Sequence, residues 1–488
     1  MPILSLITLT PLVAALVLLA LPKERHGLIR TVALVAAGLS AAGGVVVFFS
    51  YDVMRGGFQF RESLPWLPQI GIGYLMAVDG AAVVMLLLTG IVIVTGVLIS
   101  WRVDHRPKDF FALLLILVAG VYGVFCSTDL FFFFFWYEVA VLPMYLLIAV
   151  WGSTNKEYGA LKLTLMLVAG SILIWIGLLM VYVASGINSF DLIRLQEVTF
   201  DPATQSIAFL LFLVGFGVLA GMWPLHTWSP DGHVAAPTAV SMLHAGVLMK
   251  LGAFGILRIA MTLLPEGARI WLPLLLVLAT VNVIYGALSA MSQRDLKFVI
   301  GYSSVSHMGY VLMGLASLSL VGTTGAVLQM FSHGIMTALF FAMVGVIYEQ
   351  AHTRDIGAFG GLIQRMPAVS VLFILAGLAS LGLPGLSGFI AEFLVFSGLF
   401  EAQPWIFGAL AVIGVAITAT YVLRLIARVF FGPLDDKWSA LRDGRPLDIA
   451  AGVTLALFLV LVGVYPGPFL TLITSGVAPI VRRLGGIE

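Results

Sequence analysis

Residues 209–259 read FLLFLVGFGVLAGMWPLHTWSPDGHVAAPTAVSMLHAGVLMKLGAFGILRI, and this stretch decides how the chain folds. It consists of two long apolar runs separated by a polar break, Trp223 to Pro237, that contains three prolines. Lys250 follows in a run with no other formal charge from residue 234 to residue 257. A broken helix is tolerated in hydrocarbon only where protein or water satisfies its backbone, and a lysine at that depth usually marks an ion or proton path. We therefore expect the functional site here.

The composition indicates a polytopic membrane protein embedded in a lipid bilayer. The 488 residues are 61% hydrophobic and 10% charged, a balance that soluble chains of this length do not show. The net charge of +1 argues against nucleic acid as a partner. The single cysteine, Cys126, excludes an intrachain disulfide, a CxxC motif and an iron–sulfur cluster held by several cysteines. The N-terminal apolar run has no positive region before it, which favours a first membrane span over a signal peptide.

Fourteen apolar runs of at least about 18 residues predict an all-α membrane protein with fourteen transmembrane helices. The run 368–402 is too long for one straight span and contains Gly382, Pro384, Gly385 and Gly388, which predict a second broken helix with Glu392 just after the break. The runs are 2–21, 28–49, 76–101, 109–127, 129–151, 159–184, 206–223, 236–262, 269–291, 296–318, 323–349, 368–402, 405–431 and 447–470.

The two breaks occupy corresponding places in the chain. Helices four to eight and helices nine to thirteen each have the break at their fourth member. Because five is an odd number, consecutive five-helix units enter the membrane from opposite sides, which predicts two inverted repeats with paired interrupted helices at the transport site. The predicted division is helices one to three in 1–108, the first repeat in 109–262, the second in 269–431, and a loop with helix fourteen in 432–488.

The basic residues predict the orientation. Of the 25 Lys and Arg residues, sixteen fall on one side of the predicted membrane and seven on the other, which places both termini outside by the positive-inside rule. Lys297 is counted among the sixteen. The remaining two, Lys162 and Lys250, lie inside apolar runs.

Three ionisable residues inside apolar runs are candidates for proton transfer. Glu138 is the only formal charge between Asp129 and Lys156, and its position well inside a helix favours a buried carboxylate over one at the membrane surface. Lys250 lies far from both helix ends, so a carrier that alternates between ammonium and amine is favoured over a lysine bonded only to backbone carbonyls. Glu392 is favoured as a terminal carboxylate of a relay over a cap of the broken helix.

Four histidines extend this set. His307 and His333 lie mid-helix among Ser, Gly and Met on neighbouring predicted helices, and two such residues favour a proton relay over packed core histidines. His226 is predicted to cap or bridge the broken segment, and His244 is as compatible with a relay as with a packed core. No HxxxH pair, Cys/His cluster, Walker loop or nucleotide fingerprint is present, so neither a metal site nor ATP-driven transport is expected.

Five segments resemble the antiporter-like membrane subunits of respiratory complex I, NADH:quinone oxidoreductase. The resemblance is greatest to the M-type (chain-4-type) subunit and is strong over about residues 75–470; the same superfamily includes Mrp-type sodium/proton antiporter subunits. The segments are FFWYEVAVLPMYLLIAVWG (134–152), PLHTWSPDGHVAAPTAVSMLHAGVLMKLGAFGILR (224–258), GYSSVSHMGYVLMG (301–314), HTRDIGAFGGL (352–362) and GLPGLSGFIAEF (382–393).

The resemblance implies two inverted half-channels joined by a central hydrophilic axis. Glu138 would match the family's glutamate on helix five, Lys250 the central lysine on helix eight, and Glu392 the exit glutamate on helix twelve. His307 and His333 would match the polar bridge between the halves.

The resemblance also implies a non-redox subunit of a proton-translocating enzyme in an energy-transducing membrane, with the bacterial plasma membrane as the expected location. No cofactor is expected in this chain; NADH, FMN, iron–sulfur clusters and quinone would be bound by partner subunits. The expected partners are other membrane-arm subunits of a complex I-like assembly.

One departure from the family pattern concerns helix seven. The family pattern resembles FGVKxPxxPxHxW, whereas this chain reads FGVLAGMWPLHTW and has Leu219 in place of the lysine. Glu138 would then lack its cationic partner. Three outcomes are compatible with this departure: Glu138 stays protonated, His226 or His244 takes over the role of the missing lysine, or the channel is silent and the chain is a scaffold.

A cation/proton antiporter subunit of the Mrp type is the alternative to a complex I subunit.

Overall fold

The computed structural model describes residues 2–486, which form a bundle of long helices with one β-hairpin. The helices before the first break are α1 (Ile3–Ala20), α2 (His26–Ser50), α3 (Gly80–Ile99), α4 (Pro107–Cys126), α5 (Leu130–Trp151) and α6 (Lys156–Ser185). They are followed by α7a (Pro202–Ala220), α7b (Trp228–Ala235), α8 (Thr238–Met261), α9 (Pro265–Met291), α10 (Leu296–Ala316) and α11 (Leu320–Ala351). The last are α12a (Pro367–Ser380), α12b (Ser387–Ala402), α13 (Trp405–Phe430), α14 (Pro446–Val464) and α15 (Gly467–Leu484).

The prediction of a polytopic, mostly helical membrane protein is confirmed. Within residues 2–486, thirteen helices are long and apolar enough to cross a membrane. The halves α12a and α12b are each too short to be among them, and together they make the fourteenth predicted crossing. Both predicted breaks are present, whereas the inverted relation between the two five-helix units stays a prediction.

Two regions differ from the predicted runs. Strands β1 (Gln59–Leu67) and β2 (Ile72–Val78) form an antiparallel hairpin, so the run predicted as helix from residue 76 begins as a strand. The helix predicted over 447–470 ends at Val464, before a separate helix, α15, that was not predicted. The apolar residues of α15 lie on one face, and a span search based on mean hydropathy does not detect such an amphipathic helix.

The first break is stabilised by a side chain from α9. Gly221 adopts the left-handed conformation with φ of 73° and ends α7a. The side-chain amide of Asn282 donates to the Gly221 carbonyl at 2.8 Å and accepts a hydrogen bond from the Trp223 backbone N–H. A buried backbone that leaves a helix needs such partners in a membrane, and here protein supplies them.

The second break occupies Leu381–Leu386, with Gly382 and Gly385 at φ of 70° and 92°. The two half-helices touch at Gly388, where an added Cβ would lie 2.2 Å from the Ala379 carbonyl oxygen. Glu392 follows one turn later on α12b, so the predicted position of this carboxylate just after the break is the observed one.

One backbone pattern occurs twice, at the starts of α5 and α10. In each case a short antiparallel bridge joins the start of the helix to the loop after the next helix. The backbone N–H of the first helical residue donates to a carbonyl of that loop, and a backbone N–H of the loop donates to a carbonyl just before the helix. An aspartate, Asp129 or Asp295, precedes each helix and caps it. The hydrogen bonds are Leu130 N to Phe190 O and Leu192 N to Thr128 O, and Leu296 N to Arg354 O and Ile356 N to Arg294 O. The pattern is compatible with two related five-helix units.

Candidate functional site

Four of the predicted residues lie in one buried line across the four helices α8, α11, α10 and α12b. The Nζ atom of Lys250 lies 2.7 Å from Nδ1 of His333. The rings of His333 and His307 are 5.4 Å apart between centroids. Nδ1 of His307 lies 3.2 Å from Oε1 of Glu392. All four residues are at most 3% exposed, so the line is shielded from the surface along its length.

Close packing of glycines brings Lys250 to His333. Gly246 on α8 faces Gly334 on α11, and an added Cβ at either position would lie 3.0 Å or less from the carbonyl oxygen of the other. Small residues let membrane helices approach in this way. The sequence of α8 also contains π-helical turns at His244–Leu248 and Ile256–Met261, on either side of Lys250. Such turns often occur at functional sites, because they free backbone carbonyls, and Lys250 donates to the Ala245 carbonyl.

His307 is held from two directions. Its Nε2 lies 2.9 Å from the hydroxyl oxygen of Ser380, the last residue of α12a. The Gln329 amide lies 3.3 Å from both His307 Nδ1 and Glu392 Oε1. Gln329 and Ser380 were not predicted. A search for uncharged polar residues in apolar runs could have found Gln329, whereas nothing in the local sequence distinguishes Ser380 from other helical serines.

A second cluster surrounds His244, which lies six residues before Lys250 on α8. His244 is fully buried, with its ring 5.0 Å from that of Trp228 and 4.3 Å from that of His233. Nε2 of His233 is 3.0 Å from the hydroxyl oxygen of Ser229. The structure thus places His244 in contact with another imidazole. His233 was quoted in the sequence motif without a role of its own.

Lys297, counted among the sixteen basic residues of one side, is buried and does not lie at the surface. Its side chain is 3% exposed, and its Nζ donates to the Ala236 carbonyl at 2.6 Å and to the Ser241 hydroxyl at 3.2 Å. Lys297 is the second residue of α10, and a lysine so close to a helix end normally extends to the membrane surface. Only the packing of α7b and α8 against α10 shows that it turns inward.

Lys162, the other lysine in an apolar run, has a different environment. Its Nζ forms an ion pair with Oδ2 of Asp231 at 2.7 Å, and the two side chains are 24% and 27% exposed. This pair joins α6 to α7b. It lies outside the buried line, because neither residue contacts one of the four residues from Lys250 to Glu392.

The structure does not bring Glu138 into the line. Glu138 lies on the lateral face of α5 between the exposed residues Phe135 and Leu142, and it is itself partly exposed. Its Oε1 has no hydrogen-bond partner within residues 2–486. Leu219, at the position of the family's lysine, is fully buried in the apolar core.

His226 also lies apart from the line. It follows the turn after α7a, is 3% exposed, and packs its ring 5.1 Å from that of Tyr285 on α9. Its backbone carbonyl accepts a hydrogen bond from Ser229 N. The ring thus connects the broken segment to α9 by packing, and its Nδ1 has no partner among the described residues.

The buried line is suited to moving protons. A protonated lysine has no acceptor atom, so when it donates to His333 the ring's own proton is on Nε2. Transfer of a proton from Lys250 to Nδ1 of His333 leaves a neutral amine and an imidazolium. Further along the line, His307 lies between the hydroxyl of Ser380 and the carboxylate of Glu392.

Among residues 2–486 no group of three or more His, Cys, Asp or Glu side chains could hold a metal ion.

The chain is similar to known membrane proteins over most of its length. The family described as NADH:quinone oxidoreductase/Mrp antiporter, TM, matches residues 127–418. The protein named NAD(P)H-quinone oxidoreductase chain 4 2 of Thermosynechococcus vestitus is 40% identical over 95% of this chain and 89% of its own length. NADH-quinone oxidoreductase subunit M of Rhodobacter capsulatus is 36% identical over 99% of this chain and 96% of its own.

A solved structure is similar over nearly the whole chain. A chain of respiratory complex I from Thermus thermophilus with bound NADH superposes with a TM-score of 0.91 at 29% identity, covering 99% of this chain and 100% of that one. The family match spans more than half of the sequence, and the relatives extend it over nearly all of it. The chain therefore belongs to the transmembrane NADH:quinone oxidoreductase/Mrp antiporter family.

Proposed function

We propose that this chain is a proton-translocating membrane-arm subunit of a complex I-type NADH:quinone oxidoreductase. The observation that carries the proposal is the buried line from Lys250 through His333 and His307 to Glu392, with polar atoms 2.7 and 3.2 Å apart at its two ends and the two imidazole rings 5.4 Å apart in its middle. Protons move along it while electrons are transferred in partner subunits.

The relatives favour a complex I subunit over an Mrp-type antiporter subunit. Both relatives described above, at 40% and 36% identity, carry quinone oxidoreductase names. The intact line favours an active channel over a silent scaffold, since Leu219 replaces a residue that lies outside the line. We expect the redox cofactors NADH, FMN, iron–sulfur clusters and quinone in neighbouring chains, and other membrane-arm subunits as direct partners.

The location follows from the same proposal. The chain would lie in an energy-transducing membrane, the bacterial plasma membrane, with both termini outside and the side rich in Lys and Arg inside. Redox energy would reach it laterally through the neighbouring membrane subunits.

The test is proton pumping by the assembled complex with Lys250→Ala. Removing the amine interrupts the line at its central group, so we expect pumping in reconstituted vesicles to fall about tenfold or more, together with quinone reduction. Protons pumped per electron and the rate of quinone reduction are measured in the same vesicles.

Lys156→Ala is the matched control, because Lys156 also donates to a backbone carbonyl, that of Val150, but lies at the surface end of α6. It should pump like the wild type. Unchanged pumping per electron in Lys250→Ala would contradict the proposal and identify the chain as a scaffold.

A further inference from the structure

A cavity of about 390 Å³ opens on the side of the bundle that is rich in basic residues. It is enclosed by the ends of α3 and α5, the starts of α8, α10 and α14, and the end of α11. The residues that line it include the charged side chains of Arg102, Glu349, Asp448 and Lys297. Lys297, which is only 3% exposed, thus lines a cavity that opens to the surface.

Lys297 connects this cavity to the segment that carries the buried histidines. Its Nζ donates to the Ser241 hydroxyl, whose oxygen is in turn 2.9 Å from the His233 carbonyl oxygen. The His233 ring in turn lies 4.3 Å from that of His244, which is six residues before Lys250 on α8. The short helix α7b, which follows the break at Gly221, carries His233 into contact with His244.

The imidazoles of His233 and His244 have free hydrogen-bonding capacity. Both rings are fully buried, and Nδ1 of His233 and both ring nitrogens of His244 have no partner among the described residues. A buried polar atom without a hydrogen-bond partner destabilises the fold by about 1–3 kcal/mol, so three such ring nitrogens in one cluster indicate a function. Imidazoles that bind and release protons in turn, with water molecules between them, would use these free nitrogens.

The alternative route through α5 lacks these features. Glu138 has no cation partner within residues 2–486, and the lysine of the family pattern is replaced by the buried Leu219. His244, by contrast, is fully buried and lies six residues before Lys250 on the same helix.

We propose that protons reach Lys250 from the basic-rich surface through Lys297, His233 and His244, and that this route replaces uptake through Glu138. The proposal rests on the proposed function and adds the uptake path to it. Each hop breaks an N–H or O–H bond on the donor and forms one on the acceptor, with water as the carrier across the gaps, so no electron is exchanged. The last hop delivers the proton to the Lys250 amine.

The experiment compares Lys297→Met and His244→Leu with the wild type in the assembled complex, using NADH-driven proton uptake by inverted vesicles. We expect each variant to lower pumping about tenfold or more. Lys156→Met is the control for a lysine near a helix start on the same side, and it should leave pumping unchanged. Assembly is checked by the amount of intact complex in native gels.

Lys297→Arg separates proton transfer from a structural role. Arginine keeps the charge and the hydrogen-bond donors but does not release its proton. A relay therefore requires Lys297→Arg to pump as poorly as Lys297→Met, whereas wild-type pumping by the arginine variant would mean that Lys297 only stabilises the helix ends.

The outcomes also separate this proposal from the proposed function. If Lys250→Ala loses pumping while Lys297→Met and His244→Leu keep it, the uptake route is wrong and the proposed function stands. A loss in Glu138→Gln with none in Lys297→Met would return uptake to the family's route. If Lys250→Ala itself pumps normally, the proposed function fails.

Discussion

Arg258, near the end of α8, forms an ion pair with Asp79 that is almost completely buried. The two side chains are 6% and 4% exposed, and the guanidinium lies about 5 Å from the rings of Phe58 and Phe254. Asp79 also caps α3 by accepting from Ala82 N at 3.0 Å. The pair therefore joins the end of α8, the helix that carries Lys250, to the start of α3, the helix that follows the hairpin. It holds these two helices in their relative position.

Removing the cation should destabilise the protein strongly. Arg258→Met leaves Asp79 buried without its partner, which costs about 3–5 kcal/mol of unfolding free energy. The measurement is denaturant unfolding of the purified protein in detergent micelles. Lys437→Met, which removes an ion pair whose partners are both 51% exposed, should change the same quantity by about 1 kcal/mol or less.

The double variant Arg258→Met with Asp79→Asn provides the decisive comparison. Its stability should recover most of the loss, because neither member leaves a buried charge. A double variant as unstable as Arg258→Met alone would mean that the methionine disturbs packing and that the ion pair is not the cause.

Individual residues differ in how far the sequence predicts them. Lys250, His307, His333 and Glu392 were predicted because each is isolated in an apolar run, where an ionisable group is costly and so needs a function. Lys297 was not, because the sequence near a helix end is the same for a side chain that reaches the surface and for one that turns inward. That Glu138 lies apart from the line depends on which face of α5 meets the core, and α5 is too uniformly apolar to indicate it.

At the scale of elements, the break in α12 controls the position of Glu392. The close contact of Gly388 with the Ala379 carbonyl leaves no room for a side chain. We expect Gly388→Ala to force the half-helices apart, to lower the unfolding free energy by about 1–3 kcal/mol, and to reduce pumping. Stability in detergent and pumping in vesicles are measured on the same preparation.

Gly38→Ala is the matched control, since an added Cβ in the middle of α2 meets nothing within 4 Å. Alanine is favoured over glycine in a helix interior, so this variant should be as stable as the wild type or more so by up to about 1 kcal/mol. A Gly388→Ala protein that pumps and unfolds like the wild type would show that the half-helices can separate without moving Glu392.

The elements divide by the kind of signal that predicts them. Long apolar runs and Gly- and Pro-containing breaks have strong local signals, and α7 and α12 were both predicted as broken. The hairpin and α15 have weak ones: the hairpin is short and partly exposed, and α15 is apolar on only one face. Their place is decided by contacts, such as that of α15 with Gly80 at the start of α3, where an added Cβ would collide with the Leu472 carbonyl oxygen.

For the whole molecule, the predicted orientation can be tested with introduced cysteines. The only native cysteine, Cys126, is fully buried and gives little background. Ser63 lies in the hairpin on the side predicted to be outside, and Ser439 lies in the loop before α14 on the opposite side; both are exposed. An impermeant maleimide applied to intact cells should label Ser63→Cys and leave Ser439→Cys unlabelled until the cells are permeabilised.

The reverse labelling pattern would place the basic-rich side outside. The route inferred for proton uptake would then start on the outer surface, because the cavity beside Lys297 lies on that side of the bundle. Labelling of both positions in intact cells would indicate a damaged membrane. The control is a cytoplasmic protein with an accessible cysteine in the same cells, which stays unlabelled as long as the membrane is sealed.

The sequence by itself determined the class of protein, the number of crossings, the two breaks and the four residues of the buried line. These features depend on hydropathy, helix-breaking residues and the cost of a charge in hydrocarbon, all of which act within one segment. Only the tertiary structure decided which of these residues touch, that Lys297 turns inward to Ser241, that the His233 ring packs against that of His244, and that Glu138 lies apart from the line. Those contacts depend on how α7b, α8, α10 and α11 pack together, and side chains far apart in the chain become neighbours only when helix faces are paired.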